Sequence, residues 1–390
     1  MRIAYIAPYQ GPGLLKSRPS LLNLGLAANV KMELVAELLK TNLHNVEILS
    51  QGEVVERRHK FYPAFREPQP FDVSIPVFYA SALPIRRING LWSAFWTLLL
   101  FRRRHRQAPY DIVIIYNLKL PQTICALYAV KLLGLPVVLE YEDDVFVDIA
   151  GKQESKHGWH LRLVKTALDS VSGCVGVSPH LLSGVSTVVP KLLLRGVVSE
   201  NILRSTREMT IARKNWVVFS GTHYRSKGLE QLVEAWGMVN LPDWELHIAG
   251  HGEKTDLLRK MAQDDKSIVF HGLLSREENA RLLRMSTIGI NPHDVSATPG
   301  NVFAFKIIEY LAAGTHVITT PMGELENELE AGITYMPDNS SRTIAATLEQ
   351  VIKERRFYRT AMEVAQQTYG PVPVSKSLDA LLSQVGAATI

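Results

Sequence analysis

A chain of 390 residues exceeds what one hydrophobic core usually supports, so two domains of roughly 180 residues each are expected. With 46% hydrophobic and 21% charged residues, the composition excludes disorder as the bulk state. The net charge of +5 suits an anionic ligand or an anionic surface without choosing between them.

Met1 to Ala7 reads as a strand rather than a signal peptide, since no apolar h-region follows a charged start. Nothing in it directs secretion, and a cytoplasmic setting is expected. The two cysteines, Cys125 and Cys174, each lie in an apolar run and fit buried thiols in a reducing compartment. The opening strand runs into a loop containing Gly11-Pro-Gly13. A helical pattern from Leu21 to Thr41 follows, with apolar Met32, Leu34, Val35, Leu38 and Leu39, and then a strand at Asn45 to Leu49. The longest apolar run, Leu91 to Phe101, has eleven residues, about half of what spans a bilayer. Arg86 and Arg87 precede it, and Arg102, Arg103, Arg104, His105 and Arg106 follow it. A basic, Trp-rich helix of this kind either lies in the interface of an anionic membrane or is buried with solvated basic ends. Strands at Asp111 to Tyr116, Pro136 to Tyr141 and Gly173 to Val177, with a helix at Leu120 to Leu133, complete a parallel α/β half.

The alternation restarts after a crossing segment from Lys191 to Lys214. Strands are expected at Trp216 to Ser220, Trp244 to Ala249, Ser267 to Phe270, Ile288 to Asn291 and His316 to Thr319. Helices at Gly228 to Val239, Lys254 to Gln263, Glu277 to Met285 and Ala304 to Ala312 lie between them. Pro371 to Val385 adds a last amphipathic helix. The fold class is therefore α/β, with two Rossmann-like domains, residues 1–195 and 196–370, and a terminal helix at 371–390.

Open parallel sheets bind ligands at the carboxyl ends of their strands, which directs attention to the loops that follow strands. One is Ser220-Gly-Thr-His-Tyr-Arg-Ser-Lys-Gly228. Its glycines let backbone approach an anion, and Arg225 and Lys227 supply full positive charge for a diphosphate. It lacks the spacing of a P-loop, and an exposed basic turn is the plain alternative. A second is Pro299 to Gly314, where a glycine-containing loop precedes a helix carrying Lys306 and Glu309. Three residues apart, these share a helical face. The carboxylate suits both hydroxyls of a ribose, while an ordinary intrahelical ion pair is the other reading.

These motifs, in this order, resemble the donor-binding domain of the retaining group 1 glycosyltransferases (family four), which have the GT-B fold of two Rossmann-like domains facing across a cleft. The resemblance rests on Gly221, Lys227 and Gly228, on Ala249-Gly250-His-Gly252, and on Glu309-Tyr-Leu-Ala-Ala-Gly-Thr-His-Val-Ile318. It covers residues 215 to 340 well and the first half only in outline. Asn301 stands where the family has the first glutamate of its acidic signature, and Thr222 where a basic residue usually follows the loop glycine.

The resemblance implies sugar transfer, hexosyl or related, from a nucleoside diphosphate sugar to a hydroxyl acceptor, with retention. It implies that Arg225 and Lys227 neutralise the diphosphate, that Glu309 holds the ribose, and that Gly250 and Lys306 line the donor site. Gly300, Asn301 and Val302 would face the donor sugar or β-phosphate. No metal and no other cofactor is expected. On the acceptor side, Glu142 and Asp143 would orient the hydroxyl, and the loop with Gly11 and Gly13 would sit against phosphates or acceptor. His223, His251 and His293 also lie on strand-end loops, with His293 favoured among them. The acceptor class is a glycan, a polysaccharide intermediate or a lipid-linked one, with peripheral contact of Arg86 to Arg106 on an anionic membrane and no nucleic-acid partner. Two further readings stay open: a non-catalytic sugar-nucleotide-binding protein in a glycan assembly complex, and a sugar-nucleotide epimerase of the same fold.

Overall fold

The computed structural model describes all residues except 19–25, 53–59, 69–73, 84, 86–87, 145, 147–157, 209–211, 295–302, 323–324, 326, 355–358 and 388–390. The chain divides into two compact units. The first holds Met1–Asp148, Lys152–Leu194 and Val374–Ile390, and the second holds Ile149–Gly151 and Arg195–Pro373.

The first unit is built on β1 (Arg2–Ala7), β2 (Asn45–Ser50), β3 (Phe65–Glu67), β4 (Val77–Tyr79), β5 (Ile112–Tyr116), β6 (Val137–Tyr141), β7 (Gly173–Gly176) and β8 (Lys191–Leu193). Their order across the sheet is β3-β4-β2-β1-β5-β6-β7-β8. Every pairing is parallel except the β3–β4 edge. β5 and β6 are buried along their whole length. That is why they read as continuous apolar runs rather than alternating ones: helices cover both faces of a parallel sheet. The helix Pro371–Ala387 buries Val374, Leu378, Leu381, Leu382 and Val385. Asn42 Nδ2 donates to the Ser375 carbonyl at 3.0 Å, and His44 Nε2 lies 3.0 Å from Asp379.

The second unit contains β9 (Lys214–Ser220), β10 (Glu245–Ala249), β11 (Ile268–Gly272), β12 (Ser286–Asn291), β13 (His316–Thr319) and β14 (Ile333–Tyr335). Its order is β11-β10-β9-β12-β13-β14, and every pairing is parallel. The chain winds outward from β9 through β10 and β11, then returns to the other side of β9 with β12. The connections therefore diverge between β9 and β12 and leave a crevice at their carboxyl ends. Val217, Phe219, Leu232, Trp236, Ile248, Ile290 and Leu348 belong to the core beneath it. Local sequence sets the helix starts: Ser275 and Glu278 cap the helix Arg276–Met285 reciprocally, side chain to backbone.

The structure departs from the sequence expectation at the crossing segment. Lys191–Leu193 pairs with β7, and Glu200–Arg207 is a helix whose first turn is capped by Ser199. A three-residue strand is too short to show a period, so it leaves no signature. Both cysteines are buried and unpaired. No described helix is long and apolar enough to cross a membrane.

Beneath the first sheet, Glu47 gathers three partners. Arg2 and Arg104 each donate to its Oε1, at 2.8 and 2.7 Å, and the Tyr110 hydroxyl donates to Oε2 at 2.7 Å. Burial alone would raise this carboxyl, but the hydrogen bonds from Arg104, Tyr110 and Arg2 outweigh it and hold the pKa below the ordinary 4.5. A depressed folded pKa gives stability that is present above the ordinary value and lost as the pH falls through the folded one. Glu47→Ala should therefore cost about 2–3 kcal/mol at neutral pH. Urea unfolding should also show the variant losing less stability than the parent on acidification.

Candidate functional site

The loops after β9, β10 and β12 are laced together by their backbones. Gly221 N donates to the Ala249 carbonyl at 3.1 Å, His223 N to the His251 carbonyl at 3.1 Å, and Asp294 N to the Ser226 carbonyl at 2.9 Å. Two glycines make this approach possible. Gly250 has φ +117°, and a Cβ on it would lie 1.8 Å from the Gly221 carbonyl oxygen. Gly228 has φ +66°, and a Cβ there would lie 1.9 Å from the Pro292 carbonyl oxygen. No side chain fits either gap, and both angles belong to glycine.

Into this crevice comes the helix Lys306–Ala312. The Lys306 ammonium lies 3.6 Å from the centroid of the Phe219 ring, at the end of β9. It is buried and has no hydrogen-bond partner. Burial draws its pKa well below 10.5 and the Lys227 charge lowers it further, while Glu309 opposes both. The intrahelical ion pair that the sequence left open is thus not formed as a hydrogen bond. Glu309, one turn along, is pushed by burial to a pKa of about 7, with Lys306 and Arg276 pulling the other way. The adjoining histidines are buried and neutral. His293 is drawn down to about 3 by burial, then by Lys227 and Lys306, and its Nδ1 has no partner. Burial takes His223 to about 4, and its Nδ1 lies 2.9 Å from the Thr255 hydroxyl. A buried cation and a buried imidazole nitrogen without partners are costly alone, and a bound anion with acceptor oxygens would satisfy them.

Of the residues singled out in the sequence, the structure brings Gly221, Lys227, Gly250, Lys306 and Glu309 to this one crevice. Arg225 starts the 3₁₀ turn Arg225–Lys227 and is exposed. Gly300, Asn301 and Val302 lie outside the described residues. Tyr310 and Phe219 were not anticipated. The Tyr310 hydroxyl accepts from Ser220 N at 2.7 Å and so fixes the end of β9. Its position in the glutamate-tyrosine pair of the helix was the one available signal.

The first unit carries its own polar cluster at the carboxyl end of β6. Asn117 adopts φ +56°, and its Oδ1 accepts from the amides of Glu142 and Asp143 at 2.7 and 3.1 Å. Its Nδ2 donates to Asp143 Oδ2 at 2.9 Å. Lys31 donates to the Glu142 carboxylate and lies 3.9 Å from Glu140, which the Tyr5 hydroxyl also contacts. Two buried carboxyls face one ammonium, and burial raises both their pKa values. Asn117 opens the strand-end loop Asn117 to Leu120, but its bonds to the Glu142–Asp143 turn and the part played by Lys31 gave no sign in the sequence, because their partners lie far along the chain. The Gly11 and Gly13 amides are met from within: the Tyr79 hydroxyl accepts from Gly11 N at 3.1 Å and Glu67 Oε1 from Gly13 N at 2.7 Å.

Against known proteins, the model of the family "Glycosyl transferases group 1" matches residues 214–354, which span β9 to the helix Ser341–Glu354 and hold the whole crevice. Residues 214–354 are thus similar to the group 1 glycosyltransferases. Among solved structures, the chain is similar to the sucrose-phosphate synthase of Thermosynechococcus elongatus, with TM-score 0.72 and 16% identity over 100% of each chain. HepE of Anabaena, solved with UDP, gives TM-score 0.65 at 13% identity over 98% of this chain and 100% of that one. The catalytic domain of Arabidopsis thaliana starch synthase IV, bound to ADP and acarbose, gives 0.65 at 12% over 99% of each. At these identities the likeness is one of fold, and the fold is GT-B. No curated protein is matched by the sequence.

Lys306→Met tests whether the buried ammonium is kept for a ligand. The ligand-free variant should be more stable than the parent by about 1–3 kcal/mol, because an unpaired charge is removed from an apolar site. The thermal shift produced by nucleoside diphosphates should shrink in the same variant, read by differential scanning fluorimetry.

Proposed function

We propose that this protein transfers a sugar from a nucleoside diphosphate sugar to a hydroxyl acceptor, with the donor held by the second unit. The observation that carries the reading is the unpartnered Lys306 ammonium beside Lys227 at the carboxyl ends of β9 and β12, with Glu309 one turn further on. In the reaction the bond between the anomeric carbon and the diphosphate oxygen breaks, and the nucleoside diphosphate leaves with the electron pair. Lys227 and Lys306, fixed before the reaction, take up the charge that develops on that oxygen. On this reading they meet the diphosphate charge without a metal. The ionised Glu309 accepts the two ribose hydroxyls. The relatives solved with UDP and with ADP support a nucleoside diphosphate as the ligand class.

The acceptor oxygen then bonds to the anomeric carbon, with retention as the stereochemical course we adopt. For the acceptor side we place Asp143, oriented by Asn117, ahead of Glu142, whose carboxylate is committed to Lys31. The acceptor we propose is a glycan or a lipid-linked intermediate of polysaccharide assembly in the cytoplasm.

Calorimetry against UDP-, GDP-, ADP- and dTDP-sugars tests the donor site. One nucleotide class should bind, and Lys227→Ala should weaken it by about tenfold or more, the worth of one charge-assisted contact. Absence of binding by every class, or binding indifferent to Lys227→Ala, would overturn the assignment. The Glu309 contribution to the pH dependence has a fixed sign. Glu309 has a pKa of about 7 in the free protein and must be ionised to accept two hydroxyls, so affinity should fall as the pH drops below about 7. A nucleoside diphosphate sugar does not titrate in this range, so the slope belongs to the protein. The part of it due to Glu309 should vanish in Glu309→Gln.

A further inference from the structure

The donor reading leaves one conspicuous surface unexplained, the outer face of the helix Asn89–Gln107 in the first unit. At about 1.5 Å per residue, its 19 residues extend for roughly 28 Å. Ser93, Ala94, Thr97 and Phe101 point inward and are buried. On the opposite side, an arc about 100° wide carries Ile88, Leu91, Phe95, Leu98, Leu99, Arg102 and Arg106, of which Arg102 is half-buried with its guanidinium 5.4 Å from the Tyr128 ring centroid. Leu91 is 56% exposed, Phe95 55%, and Phe61 beside them 53%. Trp92 and Trp96 floor this patch. Phe61 meets Trp92 edge-on with centroids 6.2 Å apart, and Phe95 meets Trp96 edge-on at 5.6 Å. Arg103 and Arg106 are exposed at the basic end, whereas Arg104 turns inward to Glu47.

We infer that this face docks the protein on an anionic lipid surface. Apolar, aromatic and cationic side chains share one stripe along a single helix, the arrangement that lies in the plane of a bilayer interface. The charge complements anionic headgroups, and each arginine near such a surface raises partitioning roughly fivefold. The aromatic end is also well placed. Gly90 lies against Leu120, the first residue of the helix that follows β5, so this end of the helix lies toward the carboxyl end of the sheet, which carries Asn117 and Asp143. If the transferase reading holds, the acceptor is then one carried by the bilayer. The docking itself does not depend on that reading.

Cosedimentation of the full chain with vesicles decides it. Vesicles of phosphatidylcholine containing phosphatidylglycerol should bind the protein in low salt, and neutral phosphatidylcholine vesicles at least tenfold less. Leu91→Ser with Phe95→Ser should abolish sedimentation. Charge reversal at the exposed Arg103 and Arg106 to Glu should weaken it more than tenfold and reduce its salt dependence. Phe95→Trp should retain it. Circular dichroism and the nucleotide-induced thermal shift of the second unit, unchanged in each variant, separate loss of docking from loss of fold. No binding to anionic vesicles, or binding that ignores both sets of substitutions, would sink the proposal. So would a serine variant that alters only the solution mass by light scattering, since the face would then be a contact between protein chains.

Discussion

An ammonium held against an aromatic ring in an apolar recess is unstable unless something arrives to meet it, and Lys306 sets that condition for the second unit. The ring of Phe219 offers its negative face but no acceptor. Glu309 is close enough to be felt electrostatically, yet it is itself pushed toward neutrality by burial. The two groups therefore blunt each other without satisfying each other. A ligand with oxygen acceptors for the lysine and hydroxyl donors for the glutamate would resolve both at once. The fold provides the place: β9 and β12 end side by side, and glycines at 228 and 250 allow their loops to touch through backbone alone.

The first unit repeats the topology with the opposite electrostatic outcome. Its connections also diverge about the first strand, since β1 pairs with β2 on one side and β5 on the other. Yet its buried charges are met internally. Lys31 has Glu142, the Gly13 amide has Glu67, and Glu47 has two arginines and a tyrosine. Arg18 is buried and donates to the carbonyls of Pro63 and Ala80, at 3.0 and 2.8 Å. The first unit thus pairs these charges within itself, while in the second the buried Lys306 ammonium has no hydrogen-bond partner. Topology alone does not tell these apart; the inventory of partners does.

Much of this architecture was legible in the sequence, because parallel sheets buried on both faces write themselves as apolar runs spaced by helical periods. Strands such as Ile112–Tyr116 and Val137–Tyr141 could hardly be anything else. The short edge strands Phe65–Glu67, Val77–Tyr79 and Lys191–Leu193 were not legible, since three residues cannot display a period of two. At the site, spacing placed Lys306 and Glu309 on one helical face, but spacing is equally consistent with an ion pair. Whether the ammonium is paired depends on Phe219 and on the depth of the recess, both fixed by residues far away in sequence. Lys31 and the partners of Asn117 were illegible for the same reason, as each residue acts on the Glu142–Asp143 turn from another element.

The protein carries two kinds of positive charge, and depth separates their tasks. Arg103 and Arg106 stand in solvent on the helix Asn89–Gln107, where salt screens them within about 10 Å, so they act only together and only on an extended anionic surface. Lys306 is withdrawn from solvent, where screening is weak and one cation carries a large share of the interaction. An exposed lysine in its place would bind any polyanion, membrane included. The neutral His293 beside it adds a hydrogen-bonding nitrogen without adding charge.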